Sequence, residues 1–341
     1  MAVAFGTDPE FLLVTEKGEP FPAHRAGIRD KTKKHKSSDG AFFRDGYMVE
    51  INIVPTDCRQ SAAYRVQRQL FAILKYVRAK NLRLVAQDAV EIDLAKDMRN
   101  APADVRQFGC EPSFCAYEGA AKIPPIDAIT HPYRYAGAHL HFSATMEYTY
   151  SNVRWNPECL RQPALYPEII KVLDQYVGLP LTCLMHSDEQ YQRRQFYGQA
   201  GEYRPQHYGE RIVYQVPKSI RVEEIGLEYR TPGARLWNAP WLTSLILGIS
   251  RAVIEEFPRF RKTLNDKRRV AAVRHAINTG EERWRLLKPI KCDGVWITPT
   301  TWRWLYLQFS RLPAEPMLML EGGADPIDDG FADWYRARHR K

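Results

Sequence analysis

Four short segments of the sequence each place two polar side chains of ligand type two positions apart between apolar residues. The pairs are Asp8 and Glu10, Glu50 and Asn52, His139 and His141, and Glu228 and Arg230. Residues i and i+2 of a β-strand point to the same face, so each pair projects together while neighbours such as Leu140 and Tyr229 point the other way. The four segments therefore predict one sheet with an apolar core face and a polar face.

The residue types on this polar face suit a cation and an anion. Carboxylates with one or two imidazoles bind hard or borderline metal ions, and an arginine beside them suits a phosphate that the metal also holds. An antiparallel sheet with one solvated face shows the same alternation, so a single pair proves little. Solvated strand faces are usually rich in Thr, Lys, Ser and Gln, whereas these pairs contain none of them. The combination favours a binding site.

Four motifs, in the same order along the chain, resemble those of glutamine synthetases. GTDPEF at residues 6–11 is similar to their Gly-x-Glu-Pro-Glu-Phe strand, and YMVEIN at residues 47–52 to their Gly-Gln-x-Glu-Ile-Asn strand. GAHLHFS at residues 137–143 and EYRTP at residues 228–232 resemble their Gly-x-x-His-x-His-x-Ser and Glu-x-Arg-x-Pro segments. The resemblance implies an α+β fold, in which a glutamine-synthetase-like curved antiparallel sheet has helices packed on one face.

Further motifs resemble the phage-encoded carboxylate-amine ligases of type 2, a branch of the same superfamily. They are DG at residues 45–46, FGCEP at 108–112, LDQYVGLP at 173–180 and YGQAGEYR at 197–204. This resemblance implies an ATP-dependent carbon–nitrogen ligase, or amidoligase. Such an enzyme joins a carboxylate to an amine, on small molecules, peptides or proteins, through an acyl phosphate. For a phage-encoded enzyme, the expected location is the cytoplasm of the infected bacterium.

The resemblance also implies a role for each site residue. The expected ligands of Mg²⁺ or Mn²⁺ are Asp8, Glu10, Glu50, His139 and Glu228. The expected contacts to ATP are His141, Arg230, Arg194 and Arg204, and Asn52 is expected near the substrate. The residues expected to carry the chemistry are Glu10, Glu50, Glu228, Arg230 and Arg204. For Arg194, a surface salt bridge is an equally good interpretation.

The sequence departs from the glutamine synthetase motifs in several places. Asp8 replaces a glutamate, and the second carboxylate that those enzymes carry upstream of Glu50 has only two candidates, Asp39 and Asp45. Their ammonia-site and glutamate-site segments are not recognisable, so glutamine synthesis is not implied. The segment 210–225 is longer than in the type 2 ligases, and we expect a loop inserted over the site.

Apolar periodicity predicts helices between the strands. A stripe from Val66 to Val77 predicts a helix over roughly residues 61–80, followed by a strand near 82–87. Pro167 is placed to begin another helix and Gly178 to end it, while the stripe at residues 241–253 predicts a third helix that stops at Pro258.

Beyond Pro258 the sequence is mainly helical, and we place a domain boundary there. Residues 1–257 are predicted to form the catalytic domain and 258–341 a helical extension. Thr279 and Glu282 have the spacing of a capping box, and Thr298-Pro299 predicts the start of a last helix with Trp302, Leu305 and Phe309 as its apolar stripe.

Composition narrows the class of protein. The 341 residues are 45% hydrophobic, which suffices for a large core. The N-terminal residues are too polar for a signal peptide, and the longest apolar run, residues 245–249, is far short of a membrane span, so we predict a cytoplasmic protein. The six cysteines form no Cys-x-x-Cys pair and are expected to be free thiols.

A net charge of +9 favours anionic partners, namely nucleotide phosphates, an acidic substrate or nucleic acid. One basic cluster at residues 29–36 is predicted to be a loop near the site mouth, or simply a solvated hairpin loop. A second, at residues 259–274, suits a solvated helix face as well as a nucleic-acid contact, and no nucleic-acid motif accompanies it.

Three alternatives to a ligase remain open from the sequence. A kinase acting on a carboxylate or guanidino group could use the same fold. A metal-dependent hydrolase could use similar ligands without a nucleotide. A catalytically inactive phage binding protein could keep the fold alone, although the complete set of site residues argues against it.

Overall fold

Most of the polypeptide, namely residues 3–107, 113–122, 126–148, 153–214, 219–310 and 316, is described by the structure, a computed structural model. The FGCEP motif at residues 108–112 lies outside the described residues, as does Cys110. The other five cysteines are free thiols, as predicted, and Cys115, Cys183 and Cys292 are buried.

Strands account for the polar pairs of the sequence, since all four pairs lie on strands or directly at the end of one. The strands are β1 (Val3–Thr15), β2 (Pro20–Phe21), β3 (His35–Ser37), β4 (Gly40–Asp45), β5 (Met48–Ile53), β6 (Leu82–Val85), β7 (Ala89–Glu91), β8 (Ser113–Cys115), β9 (Ala120–Lys122), β10 (Tyr133–Tyr135), β11 (Ala138–Tyr148), β12 (Val153–Asn156), β13 (Glu202–Tyr214), β14 (Ser219–Tyr229), β15 (Ile290–Cys292) and β16 (Val295–Ile297). In the described part of the chain, twelve of them form one sheet with the order β3-β4-β5-β1-β11-β14-β13-β8-β9. β2 and β6 pair with β1, and β12 pairs with β11.

The helices are α1 (Arg59–Arg78), α2 (Leu94–Asp97), α3 (Tyr166–Leu173), α4 (Leu179–Leu184), α5 (Asp188–Arg194), α6 (Pro240–Glu255), α7 (Phe257–Phe260), α8 (Lys267–Thr279) and α9 (Pro299–Phe309). α1 packs on β1, β4, β5 and β6, while α6 packs on β1 and α3 on β13. The predicted α+β class with a large antiparallel sheet is therefore confirmed. Among the helices described, none is long and apolar enough to cross a membrane.

The apolar face of the central strands forms the core. Phe5, Leu140 and Tyr229 are completely buried and belong to the same hydrophobic cluster as Leu70 of α1 and Ile249 of α6. Burying each such side chain contributes about 1.5–3 kcal/mol, so the alternation in the sequence is what holds the opposite, polar face in place. The predicted helices at residues 61–80, at 241–253 and after Thr298 correspond to α1, α6 and α9, and the strand near 82–87 to β6.

Gly178 does not end a helix, in contrast to the prediction. α3 continues through one π-helical turn, Asp174–Gly178, directly into α4, and Gly178 keeps right-handed helical angles of φ −60° and ψ −50°. A Cβ atom at this position would lie 2.4 Å from the hydroxyl oxygen of Tyr229. The glycine is therefore needed for the close approach of helix and sheet rather than for a helix end.

Two further predictions about local structure are wrong. Thr279 is the last residue of α8, which ends at Gly280 with a left-handed φ of +70°, so the pair Thr279 and Glu282 begins no helix. In the described residues of the segment 210–225, β13 and β14 form a ladder in place of the expected inserted loop, and Glu210 lies opposite Glu223.

The predicted domain boundary near residue 258 stays a prediction. Pro258 does follow the end of α6, but it lies in the first turn of the short helix α7. Beyond it, Phe260, Ile277 and Trp302 are buried in the same hydrophobic cluster as the sheet.

Candidate metal and phosphate site

The strand register brings the first three polar pairs together on one face of the sheet. In the ladder of β1 with β11, Asp8 lies opposite His139 and Gly6 opposite His141. In the ladder of β1 with β5, Glu10 lies opposite Glu50. Directly opposite residues of an antiparallel pair share a face, so all these side chains point the same way.

The ladder of β11 with β14 adds the fourth pair. Glu228 lies opposite His141 on one side and opposite Arg204 of β13 on the other. Arg230 follows two positions after Glu228, and its backbone N–H donates a hydrogen bond to the carbonyl of Glu202 on β13. β1, β5, β11, β13 and β14 thus all contribute to the polar face, and the ladders fix the distances between their side chains.

One group on this face, which we call the histidine group, consists of Asp8, His139, His141 and Glu228. Nδ1 of His139 lies 3.1 Å from Oδ1 of Asp8 and 3.2 Å from Oε1 of Glu228, while Nε2 of His141 lies 3.1 Å from Oδ2 of Asp8. Ligand atoms of Asp8, His141 and Glu228 lie within 4.8 Å of one another. Burial raises the pKa of Asp8, but the two histidines outweigh it and hold that pKa below its usual range.

The second group, which we call the carboxylate group, consists of Glu10, Asp45 and Glu50. Oxygen atoms of the three side chains lie within 4.8 Å of one another. Burial, followed by the neighbouring charge of Asp45, raises the pKa of Glu10 to about 8. Burial and the surrounding carboxylates also raise the pKa of Glu50, and burial raises that of Asp45. Three acids that suppress each other's ionisation form a set of oxygen ligands suited to a divalent cation.

Two arginines lie over the histidine group. Nη1 of Arg204 lies 3.3 Å from Oε2 of Glu228, and Nε of Arg230 lies 3.5 Å from Oε1 of the same carboxylate. The buried side chain of Arg230 also lies 3.9 Å from the carboxylate of Glu202. Burial raises the pKa of Glu202, but Arg230 and Lys122 outweigh it and lower that pKa. Guanidinium groups next to a cation site are suited to the oxygens of a phosphate.

Asn52 extends the carboxylate group toward the basic segment 29–36. Its Nδ2 donates a hydrogen bond to Oε1 of Glu50 at 3.1 Å, and its Oδ1 accepts one from Nζ of Lys34 at 3.0 Å. Nζ of Lys34 also lies 4.1 Å from the centre of the Phe43 ring. The basic segment therefore reaches the polar face, where the prediction placed it.

Arg194 is the one predicted site residue that the structure places elsewhere. It is 1% exposed, so it is not a surface salt bridge. Burial, with the neighbouring charge of Arg193, lowers its pKa to about 10, and the acids that act on it are Asp88 and Asp174. Consecutive residues of the helix α5 point in different directions, and it is Arg193 that donates hydrogen bonds to the backbone carbonyls directly after β14.

Sequence reasoning missed several residues that contact the groups. Of the two candidates for the extra carboxylate, Asp45 joins the carboxylate group, whereas Asp39 pairs with Arg68 at 3.0 Å. Gln206 donates a hydrogen bond to Glu228, and the hydroxyl of Tyr208 lies 3.2 Å from Nδ1 of His141. These last two continue the i, i+2 spacing from Arg204, a signal that could have identified them.

Comparison with protein families gives one match. Residues 131–223 match the family model described as "Phage phiEco32-like COOH.NH2 ligase-type 2". This segment contains His139, His141 and Arg204. It does not contain the carboxylate group, nor Glu228 and Arg230, which the sheet brings alongside it. A search of curated proteins gives no match.

Comparison with solved structures gives matches at low sequence identity. One is the crystal structure of a novel glutamine synthase homolog, with a TM-score of 0.39 and 14% identity over 98% of this chain and 71% of the other. Another is the complex between the prokaryotic ubiquitin-like protein Pup and its ligase PafA, with a TM-score of 0.38 and 11% identity. That comparison covers 98% of this chain and 63% of the other, so this chain spans less than two thirds of its length. The family that the motifs resemble is thus the one whose model residues 131–223 match.

Proposed function

We propose that this protein is an ATP- and Mg²⁺-dependent ligase that joins a carboxylate to an amine through an acyl phosphate. One observation carries the proposal: two ligand groups lie side by side on one sheet face, and arginines cover only one of them. Asp8 and Glu10 belong to different groups but are two residues apart on β1, which is about 7 Å along a strand. Cations held by the two groups could together neutralise one transferring phosphoryl group.

The chemistry of amide formation explains why both groups are needed. A carboxylate is a poor acyl donor, so it must first accept a phosphoryl group, and the resulting acyl phosphate is then attacked by the amine. Phosphoryl transfer depends mainly on positioning and on neutralising negative charge. Bound divalent cations would supply most of that neutralisation, and the arginines of this chain would supply the rest.

Each group fits one side of this reaction. The histidine group, with Asp8, His139 and Glu228, would hold the cation at the nucleotide phosphates, with Arg230 and Arg204 on the phosphate oxygens. Its carboxylates suit Mg²⁺ or Mn²⁺, and its imidazoles favour the softer of the two ions, Mn²⁺. His141 also lines the neighbouring cavity, where it would contact the nucleotide.

The carboxylate group fits the side of the acid substrate. Glu10, Asp45 and Glu50 offer only oxygen ligands, which Mg²⁺ prefers. Their raised pKa values mean that a cation would relieve the repulsion between them. Asn52 would contact the acid substrate beside this cation, and Lys34 would keep that amide oriented.

A cavity next to the histidine group supports the placement of the nucleotide. Its volume is about 710 Å³, and it is lined by Gly6, His141, Ser143, Tyr208 and Ile225, among others. Cavities of about 300–1,000 Å³ that combine apolar walls with a few polar groups are typical ligand sites. We assign it to the base and ribose, which places the phosphates over Asp8 and Glu228.

The test measures thermal stabilisation by cation and nucleotide, singly and together. A ligand that binds only the folded protein stabilises it by about 2.7 kcal/mol at a hundred times its Kd. We expect Mg²⁺ with a non-hydrolysable ATP analogue to raise Tm more than the sum of the two separate effects, because each ligand contributes contacts to the other. E228Q, which removes a charge but little volume, should abolish the combined effect.

The outcomes separate the alternatives. Equal stabilisation by Mg²⁺ alone would favour a metal-dependent hydrolase without a nucleotide. No stabilisation by any combination would favour an inactive binding protein. E228Q with an undiminished combined effect would place the nucleotide somewhere else and contradict the assignment of the histidine group.

A further inference from the structure

Tyr197 connects the two halves of the phosphate side of the site. Its hydroxyl oxygen contacts Nε2 of His139 and accepts a hydrogen bond of 3.0 Å from Nη2 of Arg230. The guanidinium carbon of Arg230 lies 5.0 Å from the centre of the tyrosine ring. One buried hydroxyl group therefore contacts both a proposed cation ligand and a proposed phosphate ligand.

The position of Tyr197 is fixed by its surroundings. The guanidinium carbon of Arg193 lies 4.7 Å from the ring centre, and Arg193 donates hydrogen bonds to the carbonyls of Arg230, Thr231 and Pro232 at 3.0–3.1 Å. Arg193 thereby holds the tyrosine ring close to the end of β14, which Arg230 directly follows.

Two glycines leave the space that this arrangement needs. A Cβ atom at Gly137 would lie 2.5 Å from Nε2 of His139 and 3.2 Å from the hydroxyl of Tyr197. At Gly198, where φ is +64°, a Cβ atom would lie 2.2 Å from Nη1 of Arg193. The chain therefore keeps side chains out of both sides of the contact.

The hydrogen bonding of His139 shows what the hydroxyl can do. Nδ1 is the ring nitrogen that faces the carboxylates of Asp8 and Glu228. When a cation takes Nδ1 of the neutral ring, the proton must sit on Nε2, and that N–H needs an acceptor. The oxygen of Tyr197 is in place to accept it. Partners of this kind fix the orientation of a histidine ligand and its protonated nitrogen.

We propose that Tyr197 is a positioning residue that orients His139 to bind a divalent cation and Arg230 to bind phosphate oxygens. The proposal rests on the proposed function, since it assigns Tyr197 to the cation and phosphate side of that site. It predicts that one hydroxyl group affects the affinity for the cation and for the nucleotide, although it contacts neither the cation nor the nucleotide.

The test is Y197F, with Mn²⁺ as the probe of the cation site. Free Mn²⁺ is measured by electron paramagnetic resonance, and binding of a non-hydrolysable ATP analogue by calorimetry in the presence of Mn²⁺. Loss of such a partner typically lowers metal affinity about 10–100-fold. We expect a loss in that range for Mn²⁺ and about a tenfold loss for the analogue, because the bond to charged Arg230 is lost as well.

Y135F is the matched control. The hydroxyl of Tyr135 lies 2.7 Å from Nε2 of His131, so the same kind of tyrosine–histidine contact is removed outside the site. G137A is a second, independent variant. Its Cβ atom should displace the His139 ring, while the hydroxyl groups of Tyr197 and Tyr135 both remain. Y135F should bind Mn²⁺ and the analogue as the wild type does, whereas G137A should lose Mn²⁺ affinity as Y197F does.

The result distinguishes this inference from the proposed function. A wild-type protein that binds neither Mn²⁺ nor the analogue would contradict both. A wild-type protein that binds them, with Y197F and G137A binding equally well, would overturn only the role of Tyr197. A fall in Tm of Y197F without any change in the two affinities would show a purely structural role and would also overturn it.

Discussion

Glu10 carries the clearest electrostatic signature of the site. Burial and the charge of Asp45 raise its pKa to about 8, from an ordinary value of 4.5. Glu50, directly opposite on β5, is shifted in the same direction by burial and by the carboxylates around it. Between about pH 4.5 and about pH 8, Glu10 therefore binds more protons in the folded, metal-free protein than in the unfolded chain.

This difference predicts how stability depends on pH. Because the raised pKa favours the protonated carboxyl, its contribution is complete below about pH 4.5 and is lost as the pH rises through about 8. The raised pKa of His141 acts in the same direction, since its charged form is also lost as the pH rises. Metal-free protein should therefore show a falling Tm from about pH 5 to about pH 8, and excess Mg²⁺ should flatten the curve.

The control for this prediction is E10Q, which cannot ionise at this position. Its Tm should depend on pH less steeply than that of the wild type. An E10Q variant whose Tm depends on pH as steeply as that of the wild type would mean that the carboxylate group is not closely packed.

Substitution of Arg230 shows whether phosphate binding depends on the shape of the guanidinium group as well as on its charge. R230K keeps a positive charge but loses the planar fork that can bind two phosphate oxygens at once. Hydrogen bonds to charged groups contribute about 1.5–3 kcal/mol, so we expect about a tenfold or greater loss of affinity for an ATP analogue, measured by calorimetry with Mg²⁺ present.

The matched control is R134K. Arg134 is also buried, but it donates hydrogen bonds to the carbonyls of Ala128 and His131 and to the sulfur of Met98, outside the site. R134K should lose stability and keep its nucleotide affinity. Equal nucleotide affinity in R230K and wild type would remove Arg230 from the phosphate site.

At the scale of elements, the join between helix and sheet behind the site depends on Gly178. The hydroxyl of Tyr229 donates a hydrogen bond to Asp174 at 2.7 Å, on the core side of the strand that carries Glu228 and Arg230. A methyl group at residue 178 would lie 2.4 Å from that hydroxyl oxygen. Overpacking of this kind typically costs about 1–3 kcal/mol, so G178A should lower the free energy of unfolding by about that amount.

A double-mutant cycle checks the cause. Y229F removes the oxygen atom that the new methyl group would meet, so G178A should cost much less in the Y229F background than in the wild type. Urea denaturation of the four proteins gives the coupling energy. Additive losses would mean that the glycine is needed for another reason.

The strands and the long helices could be predicted because each has a period that burial enforces. The i, i+2 pairs identified β1, β5, β11 and β14, and apolar stripes identified α1, α6 and α9. Gly178 and Thr279 were misinterpreted because a glycine or a threonine carries the same local signal in several contexts. Only the packing of Tyr229 and the left-handed turn at Gly280 distinguish between them.

The composition of the site could be predicted only in part. The register of β4 with β5 decides between Asp39 and Asp45, and no local pattern reports a register between strands. The direction of a side chain on the short helix α5 likewise decides against Arg194 and brings in Arg193. Tyr197 lies in a motif that was noticed, but its contact with His139 joins residues 58 positions apart.

At the scale of the whole molecule, the two basic clusters of the sequence differ in the groups that they contact. In the second basic cluster, Arg259 pairs with Glu256, Arg261 with Glu168 and Arg274 with Glu118. This cluster is therefore partly neutralised within the chain. Lys34, in the first cluster, instead points to the proposed substrate side of the site. The first basic cluster thus reaches the proposed site, whereas the second is partly paired with acids of its own chain.

A ligase activates a carboxylate as an acyl phosphate and then converts it to an amide. Neither a kinase nor a metal-dependent hydrolase carries out both steps. The measurement begins with an acid and amine pair that supports ATP turnover. The acid is then supplied with heavy oxygen in its carboxyl group, and the released phosphate is examined by mass spectrometry. A ligase transfers one carboxyl oxygen to phosphate for each amide formed, so we predict label in phosphate, in equal amount to the amide. Amide formed with unlabelled phosphate would contradict the account.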